Sequence, residues 1–137
     1  MRWLFLVLLA ALFYSNNYAQ QITAVHRIKP DKSKNITVKN LNHNKNASTF
    51  LVWVQDSVGA HKHIHHQEIV YILKGKGIFN LGEKSFKTKK GDAVFIPKNT
   101  YHSVHVNSRK AMQVLSIQSP YFDGTDRHFK KNIKNSQ

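Results

Sequence analysis

Beyond Ile22 no stretch of the chain sustains a helical period; short runs of β-branched and aromatic residues alternate instead with Gly, Asn, Asp and Pro. The runs Asn35–Leu41, Thr49–Gln55, Ile69–Leu73, Ile78–Leu81, Ser85–Thr88, Ala93–Ile96, His102–Val106 and Met112–Gln118 read as strands. Between them lie Asn42-His43-Asn44, Lys74-Gly75-Lys76-Gly77, Leu81-Gly82-Glu83-Lys84, Lys90-Gly91-Asp92, Pro97-Lys98-Asn99 and Asn107-Ser108-Arg109. These carry the residues that fix φ or reach positive φ in tight turns. Strands this short and turns this regular imply an all-β antiparallel sandwich or barrel. With 137 residues there is one domain and room for a real core. The absence of cysteine excludes disulfides, thiolate zinc sites, iron–sulfur clusters and cysteine nucleophiles.

The opening segment differs from the rest. Arg2 precedes eleven uninterrupted apolar residues, Trp3 to Phe13, followed by Ser15, Asn16, Asn17 and Ala19. That order is a secretory signal, residues 1–19, cut after Ala19; the apolar run falls short of the ~20 residues a spanning helix needs. The expected organisation is a signal peptide, a single domain over 20–126, and a basic, flexible tail over 127–137, in a periplasmic or secreted protein. The net charge of +14 invites anionic partners. The lysines are nevertheless scattered, with no recognition helix and no basic face interleaved with aromatics, so no specific nucleic-acid partner is expected. A solvated lysine surface is the simpler account, beside weak association with an anionic envelope surface.

The carboxylates are the informative anomaly. Asp31, Asp56, Glu83, Asp92, Asp123 and Asp126 fall in expected turns or at strand ends, where water can reach them. Glu68 instead opens the apolar run Ile69-Val70-Tyr71-Ile72-Leu73, and a carboxylate is rarely buried without a cationic partner. Just upstream stand His61, His63, His65 and His66. On extended chain, residues two apart point the same way, so His61 and His63 aim at one spot, as His63 and His65 do in the other register. Two such imidazoles, a strand-borne carboxylate and a further imidazole, best supplied by His102, form a nitrogen–oxygen site for a borderline divalent metal. A solvated histidine loop, with Glu68 paired to a lysine, is the competing reading.

The spacing resembles a known pattern. His61-Lys62-His63, four residues, Glu68, six residues and Gly75 reproduce the first motif of the cupin superfamily. Gly91, five residues, Pro97-Lys98-Asn99, two residues and His102 reproduce the second. Asn99 stands where cupins usually carry Gly, and Asn also enters the left-handed region; Asn107 is one residue late for the Asn that often ends the second motif. The resemblance covers Phe50 to Gln118 and implies a jelly-roll (cupin) β-barrel. It places His61, His63, Glu68 and His102 as ligands of one divalent metal, Fe, Mn, Ni, Cu or Zn, inside the barrel. Ser119–Asp126 resembles the stretch that packs across many small cupins and reads as structural.

Around these ligands, His65 and His66 read as solvent-facing loop residues. His105, three residues from His102, faces away from the cavity. Trp53 and Tyr71 read as core, and Tyr101 as a rim residue without an assigned role. The functional expectation is a metal-dependent enzyme, dioxygenase or isomerase in type, acting on a small oxygen-rich molecule. The alternative is a non-catalytic envelope module that captures a small ligand or metal. No general base beyond the ligands is named by the sequence. Edge strands of such a barrel make a homodimer the default assembly.

Overall fold

The computed structural model describes residues 21–131; the expected signal segment, 1–19, and the end of the expected tail, 132–137, lie outside the described residues. A 3₁₀ turn at Val25–Arg27 leads into ten strands: β1 Ile36–Asn44, β2 Ala47–Val54, β3 Ser57–Lys62, β4 Gln67–Lys74, β5 Lys76–Leu81, β6 Lys84–Lys89, β7 Ala93–Ile96, β8 His102–Val106, β9 Met112–Ser119 and β10 His128–Phe129. They form two five-stranded sheets, ordered β1-β2-β9-β4-β7 and β10-β3-β8-β5-β6, with every neighbouring pair antiparallel. This is the antiparallel all-β architecture that the turn spacing implies, in the jelly-roll form that the cupin resemblance implies.

Alternation along each strand builds the core. Val70 and Ile72 of β4, Val94 and Ile96 of β7, and Met112 and Val114 of β9 pack against Phe79 of β5 and Val104 and Val106 of β8. Burying each such side chain contributes roughly 1.5–3 kcal/mol. The same parity corrects one expectation. Glu68, Val70 and Ile72 point inward, so Ile69 and Tyr71 must point outward, and both are 41% exposed. Tyr71 is therefore a surface residue. Trp53 is buried as expected, opposite Gln113 of β9 and Thr37 of β1. A Tyr71→Thr variant should unfold within about 1 kcal/mol of the unmodified protein in urea, the range of one cross-strand pair.

Other departures are local. Asn42, His43 and Asn44 extend β1; the chain reverses at Lys45-Asn46 instead, where Asn44 Oδ1 accepts hydrogen bonds from the N–H groups of Asn46 and Ala47. Strand β3 carries too few apolar residues to be read from sequence, and His128–Phe129, assigned to the tail, pairs with Lys62 and His61. Gly75 has φ +86, and a Cβ there would lie 2.9 Å from both Met112 Cα and Ser108 Oγ. Gly75→Ala should therefore cost about 2 kcal/mol in denaturant unfolding, combining left-handed strain with a clash. At Gly82 (φ +56) a Cβ meets nothing within 4 Å, and the same change should cost only about 1 kcal/mol.

Candidate metal centre

The four expected ligands come from both sheets. His61, one residue from the end of β3, pairs with His102, the first residue of β8. His63 follows β3 directly, and Glu68 is the second residue of β4 in the opposing sheet. A bulge makes this convergence work: β3 spends two residues between Val58 and His61 where β8 spends one between Val104 and His102. That extra residue lets Val58 and His61 share the inner face although three positions apart, and both line the cavity.

All four residues are buried, none more than 8% exposed. One ring nitrogen from each of His61, His63 and His102 lies within 4.8 Å of the others. Glu68 Oε2 stands 3.5 Å from both His63 Nε2 and His102 Nε2. On the far side of each ring, Nδ1 donates to a backbone carbonyl: His61 to Gly59 at 2.8 Å, His102 to Thr100 at 3.0 Å, and His63 to Asp126. A carbonyl can only accept, so Nδ1 carries the proton and each Nε2 presents a lone pair to the interior. The Nε2 atoms of His63 and His102 are buried with no hydrogen-bond partner. A cation among these nitrogens satisfies atoms that otherwise have none.

Electrostatics agree with that geometry. Burial, with His102 adding to it, pushes His61 down to about 4, so it is neutral and a competent donor at pH 7. Burial pushes Glu68 up, but His102, His63 and the Ser116 hydroxyl more than offset it and hold the carboxyl well below the usual carboxylate range. A fixed negative charge thus stands 3.5 Å from two imidazole nitrogens. Burial pushes His63 down, yet the Glu68 carboxylate and the Asp126 carbonyl outweigh it and raise the imidazole above its ordinary value. Any proton held on that Nε2 must leave before the nitrogen can bind a metal.

Behind the centre lies a second cluster that sequence reasoning missed. Asp126, expected in a solvated turn, is buried. Its Oδ1 accepts from Ile64 N at 3.0 Å and His128 Nε2 at 3.1 Å. Its Oδ2 accepts from His65 N at 2.7 Å and His66 Nδ1 at 2.6 Å. His66 is likewise buried rather than solvent-facing, held between Asp126 and the Tyr121 carbonyl at 2.7 Å. Burial raises the Asp126 carboxyl, but these donors prevail and keep it well below the ordinary range. Asn99 adopts φ 61, as its place in the second motif requires, and its N–H donates to the His63 carbonyl at 2.6 Å. His65 and His105 are exposed and stand apart from the site, as expected. Tyr101 is half-buried beside the ammonium groups of Lys62 and Lys130, 5.1 and 5.9 Å from its ring.

The ligands open into a cavity of about 460 Å³ between the sheets. Its rim includes the exposed residues Asn40, His43, Tyr121 and Arg127, and His43 and Tyr121 pair there with ring centroids 5.5 Å apart.

A family model described as "Cupin domain" matches residues 48–118. An uncharacterized protein of Aquifex aeolicus is 33% identical over 115 residues, spanning 84% of this chain and 94% of that one. A Klebsiella pneumoniae protein with a double-stranded beta-helix domain superposes with a TM-score of 0.68 at 12% identity, over 83% of this chain and 99% of that one. A Thermotoga maritima protein described as a predicted oxalate decarboxylase superposes with a TM-score of 0.58 at 27% identity, over 62% and 80% of the two chains. Sequence motifs, sheet topology and these likenesses agree: the chain belongs to the cupin family and carries a three-histidine metal-binding geometry inside its barrel.

Proposed function

We propose that His61, His63, His102 and Glu68 together hold one divalent ion, Fe, Mn, Ni, Cu or Zn, and that the protein is a metal-dependent enzyme of dioxygenase or isomerase type. Its substrate is a small oxygen-bearing molecule admitted to the cavity. One observation carries this reading: three Nδ1–H groups are tied to backbone carbonyls, which leaves the opposite nitrogens free toward a common point beside a buried carboxylate. The bound ion supplies Lewis-acid or redox chemistry at that point. The chain's own part is to fix the imidazole tautomers, to set Glu68 as a permanent negative charge, and to surround the reacting oxygens with a largely apolar wall. Four protein ligands leave room on a five- or six-coordinate ion for an outside molecule, and the connection of the cavity to an exposed rim gives that molecule a path. In an exported form cut after Ala19, the ion would be drawn from the outer compartment.

The test is metal analysis of protein purified from its native compartment, followed by a substrate screen with and without chelator. Stoichiometric metal and chelator-sensitive turnover are the expected results. Stoichiometric metal with ligand binding but no turnover would establish the non-catalytic capture module instead. A protein that takes up no divalent ion would overturn both.

A further inference from the structure

Among the described residues, one polar group inside the cavity besides the four proposed ligands is left without a partner. Gln118 of β9 stands opposite Glu68 in the β4–β9 ladder, lines the cavity and is only 4% exposed, yet its Oε1 accepts no hydrogen bond. The hydroxyls closest to it in the sheet are already engaged. Ser116, two residues earlier on the same face, donates to Glu68 Oε1. Ser48, its ladder partner on β2, donates to the Phe122 carbonyl at 3.2 Å and accepts from Phe122 N at 2.9 Å. An unpaired buried acceptor costs about 1–3 kcal/mol, so the donor that relieves Gln118 has to come from whatever fills the cavity. The remaining wall is mostly apolar: Val52, Val54, Val70, Val104, Met112 and Val114 all face the same space.

We propose that the cavity selects a hydroxylated molecule with an apolar body, whose O–H donates to Gln118 Oε1 while its aliphatic or aromatic part lies against the valine and methionine wall. The proposal rests on the metal reading above and narrows its substrate class. A two-carbon diacid satisfies neither demand. As a dianion it has no O–H to give, and it leaves most of the ~460 Å³ without apolar contact.

Four probes separate the terms: 3-phenyllactate, lactate, 3-phenylpropanoate and oxalate, titrated calorimetrically into protein loaded with redox-inert Zn²⁺, with zinc content measured in every sample. Phenyllactate should bind at least about tenfold tighter than lactate, from burial of the phenyl group. It should also bind about tenfold tighter than 3-phenylpropanoate, which lacks the hydroxyl. In Gln118→Leu, phenyllactate should weaken about tenfold while 3-phenylpropanoate stays within about twofold. Lactate or oxalate binding as tightly as phenyllactate in the unmodified protein would overturn the proposal, and so would a phenyllactate affinity unchanged by Q118L. Either result obtained with stoichiometric zinc leaves the metal reading standing. Protein that binds no zinc or other divalent ion overturns both.

Discussion

Replacing His63 and Glu68 together by alanine should reduce bound metal to below about a tenth of stoichiometric, measured by elemental analysis after reconstitution and desalting. The physical ground is the division of labour within the site. His63 supplies one of two buried Nε2 atoms that lack any partner, and Glu68 supplies a buried carboxylate 3.5 Å from two of the imidazoles. Without them, two neutral nitrogens remain and no negative charge balances a divalent ion in a low-dielectric interior. Circular dichroism should still report a β-fold, because the core of Val70, Ile72, Phe79, Val104 and Met112 is untouched. Stoichiometric metal in the folded double variant would refute the ligand assignment.

The second large effect is expected at a residue outside that set. Asp126→Ala should lose about 3–5 kcal/mol in urea unfolding, since several buried donors lose their acceptor at about 1–3 kcal/mol each, and should weaken metal binding about 10- to 100-fold. Asp126 gathers the N–H groups of Ile64 and His65 and the rings of His66 and His128, and its carbonyl orients His63. Removing the carboxylate frees the loop that carries His63 and leaves the His66 Nδ1–H without its acceptor. Asp126→Asn keeps an oxygen for the loop N–H groups and should fall between the two in both measurements. An unchanged unfolding midpoint and metal affinity in Asp126→Ala would show that the loop holds its shape without the clamp.

These two sites differ in how far the sequence reveals them. The four residues proposed as metal ligands stand out because each carries a local signal: alternate histidines on extended chain, a lone acid at the head of an apolar strand, a histidine following a Pro-Lys-Asn turn. The strands are legible for the same reason, since turn residues punctuate them at short range, and Ala93–Ile96 and His102–Val106 match the observed elements to the residue. Asp126 has no such signal. Three of its partners, Ile64, His65 and His66, lie about 60 residues away in the chain, and an aspartate near glycine and threonine reads as an ordinary turn. His66 is misread along with it, because its burial depends on the same contact. Tyr71 is a different kind of miss: two-residue periodicity counted from an inward Glu68 already places it outside. The bulge in β3 is an exception that periodicity cannot foresee, since one added residue inverts which side chains face the cavity.

The division of the ligands between the two sheets has a thermodynamic consequence. Glu68 belongs to one sheet, and His61 and His102 to the other, so an ion gripped by all of them acts as a rivet through the sandwich. Unfolding would then require its release, so the ion would add about 2.7 kcal/mol of stability at a hundredfold excess over the dissociation constant, and the melting midpoint would climb with free ion concentration. Heating the protein against a series of divalent salts would therefore rank the ions by grip, with no knowledge of the substrate needed.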